Sequence, residues 1–217
     1  MRTVYTPPFN RTDDEDELRA LVAHVRAGWL VTNGQEAAPS ATYLPVIWRG
    51  DKVIAHFARA NPHWREIGSE TPALVIVTGP DAYVSPTWYA GKAEDGRVVP
   101  TWNYSAVHLS GLARVHEEPD WLRWAVEELT DEHEGGRDEP WHVTDAPRSY
   151  IDSQLRGIVG VELIVSKVEG KAKLSQNRSR ADRAGVVAGL RQSGRPDEQG
   201  VAEQMSSALD NESGDPR

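Results

Sequence analysis

The stretch "SATYLPVIWRGDKVIAHFA" (Ser40–Ala58) decides the fold. Ser40–Trp48 and Lys52–Ala58 are both rich in apolar, β-branched and aromatic residues, and Arg49-Gly50-Asp51 lies between them as a turn. Just upstream, Trp29–Thr32 is a short apolar strand that ends at the hairpin signal Asn33-Gly34. Two hairpins therefore follow in succession. Strands joined by short turns are antiparallel, because a parallel pair needs a long crossover.

The rest of the chain extends this pattern. Ala73–Gly79 is almost wholly apolar and reads as a central strand, and "AYVSPTWY" (Ala82–Tyr89) is extended and aromatic. After a polar loop, Gly91–Gly96, the segment "VVPTWNYSAVHLSG" (Val98–Gly111) opens a long strand that ends near Val115. "VGVELIVSKVEG" (Val159–Gly170) is the last strand. Helical spacing marks the insertions. Leu18, Leu21, Val22 and Val25 recur after an acidic first turn, with Thr12 or Asp13 as N-cap and Gly28 as the stop. Trp121, Leu122, Ala125, Val126 and Leu129 form one apolar stripe. Asn61 and Pro62 start a short helix, Pro147 starts another, and "RADRAGVVAGL" (Arg180–Leu190) reads as the terminal one. The expected class is mainly β within α+β, a small closed or half-open barrel with inserted and C-terminal helices. Residues 1–190 form that domain, and residues 191–217 are expected to be a polar, flexible tail with a weak helix around Val201–Leu209.

Composition excludes several chemistries. The 217 residues contain no cysteine, so disulfides, thiolate catalysis and cysteine-ligated metals are ruled out. A formal charge of −9 argues against a direct electrostatic grip on DNA. No apolar run approaches the roughly 20 residues that cross a bilayer, and no signal-peptide core stands at the N-terminus, so a cytoplasmic location and no membrane partner are expected. The seven histidines show neither H-x-x-x-H nor H-E-x-x-H, and no nucleophile elbow, P-loop or G-x-G-x-x-G appears. Glu127, Glu128, Asp131 and Glu132 read as the wet face of their helix. Eight tryptophans and six tyrosines stand against two phenylalanines, and rings with a polar handle favour half-wet pockets and interfaces.

Three polar-aromatic clusters carry candidate chemistry. "AHFARANPHW" (Ala55–Trp64) joins a strand end to a helix start, where free backbone N–H groups beside Arg59 would seat an anion. Asn61 and Pro62 serve equally as plain capping devices there. "PTWNY" (Pro100–Tyr104) is a pocket wall or a core segment. "KLSQNRSRADR" (Lys173–Arg183) is basic and polar, a solvated loop on charge alone.

Together, "YTPPF", "HFARANPHW", "GPDAYVSPTWY", "GRVVPTWNYSAVHLSG", "GIVGVE" and "KLSQNRSRADRAGVVAGL" resemble the PaiB family of FMN-binding split-barrel proteins, in order, from Tyr5 to Leu190. The resemblance implies a six-stranded split barrel, a homodimer with FMN at the subunit interface, and a role as a negative transcriptional regulator or an oxidoreductase of unknown substrate. On that reading Trp102 and Asn103 wall the flavin groove. Thr42, Leu44 and Pro45 lie beneath the ring with His56, Phe57 and Ala58. Arg59, Asn61 and the turn carrying Trp64 receive the phosphate, while Lys173, Gln176, Asn177 and Arg178 close the site; Tyr83 and Ser85 are weaker candidates. The heme-dependent piperazate synthases share the H-x-x-R-A-N-P-H-W and P-T-W-N elements, so heme b is the alternative cofactor. His56 would then be the first choice of axial ligand and His63 the second. "SQNR" and the approach "KAEDGRVVPTWNY" favour the FMN branch.

Overall fold

The computed structural model describes residues 4–34, 38–94 and 96–214. Residues 35–37 of the expected hairpin turn, Asp95 of the polar loop and residues 215–217 of the expected tail lie outside them. The strands are β1 (Arg11–Thr12), β2 (Ala27–Thr32), β3 (Ser40–Pro45), β4 (Ile47–Arg49), β5 (Lys52–Ala58), β6 (Thr71–Val84), β7 (Thr101–His116) and β8 (Ile158–Lys173). The helices are α1 (Glu15–Val25), α2 (Pro119–Glu134), α3 (Arg148–Leu155), α4 (Arg180–Gln192) and α5 (Pro196–Gly214). The sheet runs in the order β3-β2-β6-β7-β8-β5-β4, and β1 pairs with the end of β8. The hairpin reading holds: β2 pairs antiparallel with β3 and β4 with β5.

Two compact units divide the chain. One, called here the sheet unit, comprises Glu15–Val77 and Val107–Glu169; the other, the helical unit, comprises Met1–Asp14, Thr78–Ala106 and Gly170–Arg217. The sheet unit buries Leu30, Leu44, Val53, Ala55, Phe57, Val107, Leu109, Val161 and Leu163 under Leu18 and Val22 of α1. Odd-numbered positions of β5 enter that core. Ile54, on the opposite face, packs with Ile47 against Ala125 and Leu129 of α2. Gly160 makes room for this helix, since a Cβ there would lie 2.0 Å from the ring of Trp121. In the helical unit, Ala82, Val84, Leu174, Val186, Leu190, Val201 and Met205 form a separate core.

Two expectations are corrected and a third is extended. The strand expected over Ser40–Trp48 breaks at Val46, whose N–H leaves the ladder to donate to the Arg26 carbonyl, after Pro45, which has no N–H to offer. The helix expected from Asn61 is a single 3₁₀ segment, Pro62–Glu66. The weak helix expected around Val201–Leu209 of the tail is part of a longer one, α5 over residues 196–214, with Val201, Ala202, Met205 and Leu209 buried. Those four apolar side chains, at spacings of one, three and four, supply the stripe that packs it. Arg183 of α4, itself 9 % exposed, pairs with Glu212 of α5 through both guanidinium nitrogens and holds that carboxyl below its ordinary value.

Candidate functional site

In the sheet unit, the end of β5 and the 3₁₀ segment build a closed polar cluster. His63 is 4 % exposed. Its Nε2 lies 2.9 Å from Thr32 Oγ1, and its Nδ1 lies 2.8 Å from Thr42 Oγ1. Asn61 Nδ2 donates to the same Thr42 oxygen at 3.3 Å, and Asn61 Oδ1 accepts from the His63 N–H at 3.0 Å. One arrangement satisfies every atom: Asn61 donates to Thr42, Thr42 to Nδ1, and Nε2–H to Thr32. Burial pushes the His63 imidazole below its ordinary pKa, with Glu66 opposing. This neutral ring rivets β2 and β3 to the 3₁₀ segment.

Several of the expected cofactor residues already have partners within the chain. Thr42 and Asn61 are engaged by His63, and Asn61 is the cap of its own turn. A five-residue 3₁₀ segment has too little aligned backbone to act as an anion seat. Arg59 donates to the Arg156 carbonyl at 2.9 Å, to the Ile158 carbonyl at 3.0 Å and to Glu117 at 2.5 Å, so an anion at Arg59 would have to displace Glu117. Trp64 donates its indole N–H to the Arg59 carbonyl, and Arg65 lies over its ring. Leu44 and Phe57 place their side chains in the core, where Phe57 is wholly buried. Ala58 ends β5, and its carbonyl accepts from the Asn61 N–H. Both His63 nitrogens are engaged by threonine hydroxyls.

Pro45 and His56 lie elsewhere. They line a cleft of about 280 Å³ with Val126, Leu129, Thr130, His133, Glu134 and Trp141. The Nδ1 of His56 is buried without a hydrogen-bond partner, and burial pushes the ring's pKa below its ordinary value. The cleft lies just below the ~300–1,000 Å³ typical of ligand pockets. Sequence reading missed Thr130, His133, Glu134 and Trp141, because the end of an acidic helix looks like solvated surface.

The helical unit holds the remaining candidates. Asn103 is wholly buried, and its amide bonds Ser175 Oγ at 3.0 Å and Met205 Sδ at 3.4 Å. It fixes the loop from within. Ser175 itself has φ +62°, an unfavourable backbone for a residue with a side chain, and its bonds to Asn103 hold it there. Gln176 closes the same loop, accepting from the Leu174 N–H and donating to the Ala172 carbonyl. Arg178 lies 4.7 Å over the Tyr89 ring. Three expected residues remain open. Trp102 is 48 % exposed, with its ring 6.3 Å from the half-exposed Tyr83. Lys173 Nζ, anchored 2.5 Å from Thr101 Oγ1 and 2.5 Å from the Trp102 carbonyl, keeps one further N–H. Burial and neighbouring Lys171 push its pKa down. Asn177 is exposed at the turn of the loop.

Comparison with known proteins agrees with this architecture. Residues 4–167 match the family model described as "Putative FMN-binding domain". The chain is 32% identical over 213 residues to the Protease synthase and sporulation protein PAI 2 of Bacillus subtilis (strain 168), covering 95% of this chain and 98% of that one. It is 35% identical over 168 residues to the uncharacterized protein AFUA_5G13800 of Aspergillus fumigatus, covering 70% of this chain and 64% of that one. Among solved structures, the FAD and heme binding protein from Mycobacterium smegmatis superposes with a TM-score of 0.59 at 19% identity, over 81% of this chain and 79% of that one. The flavocytochrome Anf3 from Azotobacter vinelandii gives 0.55 at 14% identity, over 83% and 78%. The fold is the split β-barrel, and the chain belongs to the PaiB-like FMN-binding family, which makes FMN its cofactor.

Proposed function

We propose that the chain is a homodimeric flavoprotein that holds FMN noncovalently at the subunit interface and acts as a flavin-dependent regulator of transcription. The observation that carries the cofactor site is the half-exposed Trp102–Tyr83 pair beside the anchored Lys173. Two rings left in water cost apolar hydration unless a flat ligand covers them, and an ammonium group with a third N–H to give suits a ring carbonyl or a phosphate oxygen. Asn177 adds an amide at the same loop. When bound, FMN supplies the redox chemistry, while these residues bind and orient it.

Dimerisation is supported by a second aromatic face. Trp29 and Tyr43 stand opposite each other on β2 and β3 with rings 5.2 Å apart, 47 % and 55 % exposed, and Ile76 of β6 flanks Trp29. The regulatory part rests on the Bacillus relative, whose name ties it to protease synthesis and sporulation. A net charge of −9 favours control through a small molecule or a protein partner over a direct grip on DNA.

The test is FMN titration of the purified chain, followed by flavin absorbance, alongside Trp102→Ala and Lys173→Ala. Each substitution is expected to weaken FMN binding about tenfold, in line with the loss of one stacking or one charge-assisted contact. Sedimentation of the same samples checks the dimer. Unchanged FMN affinity in both variants would overturn the site, and a Soret band in the purified protein would overturn the cofactor.

A further inference from the structure

We propose that the cleft lined by His56, Glu134 and Trp141 is a second binding site, for a small organic ammonium ion carrying an apolar body. This inference goes beyond the flavin reading and does not depend on it. The cleft belongs wholly to the sheet unit, between the α2-facing side of β5 and the last turns of α2.

Four features converge on that chemistry. First, Glu134 is oriented before any ligand arrives. Its Oε2 accepts from the Trp141 N–H at 3.2 Å and pairs with Arg137 Nε at 3.1 Å, whereas Oε1 has no partner among the described residues. A carboxylate fixed by one oxygen and open at the other is a preorganised acceptor for an ammonium group. Arg137 is a surface partner, 65 % exposed, so its charge is screened and leaves Glu134 attractive to a second cation. Second, Glu134 is the last residue of α2, where the helix end carries partial negative charge that also favours a cation.

Third, the same hydrogen bond ties the loop after α2 back onto the helix and so holds Trp141 at the cleft, with 44 % of its surface exposed. An indole face is the strongest aromatic partner for an organic cation. Fourth, His56 faces the cleft as an uncharged ring, because burial resists its protonation; it offers hydrogen bonding without repelling a cation. Val126 and Leu129 complete an apolar floor for the body of the ligand. The volume, about 280 Å³, limits that body to the size of a single ring or a short chain.

The experiment uses the full chain, with and without FMN, in calorimetric titrations against three probes of one shape: 2-phenylethylammonium, neutral 2-phenylethanol and anionic 3-phenylpropionate. Saturable binding of the ammonium probe alone is expected, equally in both preparations. Glu134→Gln should weaken it about tenfold, the loss of one charge-assisted contact, and Trp141→Ala should weaken it by a similar factor. Far-UV circular dichroism and FMN affinity should stay unchanged in both variants, so that a failed fold or a failed flavin site is recognised as such. The proposal is overturned if no probe gives a saturable signal at millimolar concentration. It is equally overturned if the three probes bind alike, or if Glu134→Gln binds the ammonium as tightly as the parent.

Discussion

The two faces of β5 place adjacent residues in opposite kinds of environment. Toward the core, Phe57 is wholly buried, and its ring meets the edge of the His63 imidazole at 5.4 Å, both of whose nitrogens are engaged. Toward α2, His56 lines a cleft and keeps a buried nitrogen without a partner. Both histidines are held below their ordinary pKa by burial, yet they do different work. The satisfied ring is a fastening whose removal unravels neighbouring groups. The other ring keeps a buried nitrogen that no side chain satisfies, so its removal leaves its neighbours' hydrogen bonds intact.

The largest loss is expected on the core-facing side, at Phe57. Phe57→Ala empties a ring-sized volume in the tight core of the sheet unit and should cost about 3–5 kcal/mol, read from the midpoint of urea unfolding. His63→Leu should follow at about 2–3 kcal/mol, because the buried Thr32 hydroxyl loses its donor and the half-buried Thr42 hydroxyl loses its acceptor.

The pH dependence separates the faces from bulk effects. A histidine whose folded pKa lies below its unfolded value of about 6.5 binds fewer protons when folded, so stability is full above that pH and declines as the pH falls toward the folded pKa. Unfolding midpoints measured between about pH 7.5 and pH 5 should therefore drop in the parent. The slope should be shallower in His63→Leu and also in His56→Leu; an unchanged slope in both would show that neither ring is held neutral. The smallest effect is expected for His56→Leu at neutral pH. Removing an unpartnered buried nitrogen while keeping an apolar body should change stability by less than about 1 kcal/mol, and a loss as large as that of His63→Leu would erase the distinction between the two faces.

The helical unit repeats the lesson in one loop. Asn103, Ser175 and Gln176 satisfy one another and the backbone, whereas Trp102, Lys173 and Asn177 retain exposed surface or an unused donor. Residues of one motif thus divide into those that build the loop and those the loop presents. A motif read as a string assigns them all to the ligand, because spacing records which residues travel together and not which way each side chain points.

Local signals alone determined the antiparallel sheet, since turn chemistry at Arg49-Gly50-Asp51 and alternation along Lys52–Ala58 act between near neighbours. The same signals placed α1, α2 and α4, and the order of the motifs placed the chain in its family. Tertiary structure alone decided that Asn61 and Thr42 serve His63, that the weak helix expected at Val201–Leu209 extends into the packed α5, and that Glu134 and Trp141 meet His56 across a cleft. These pairings join residues separated by tens of positions. Hydrogen-bond saturation and burial are properties of the partners a side chain finds after folding, and no local period encodes them.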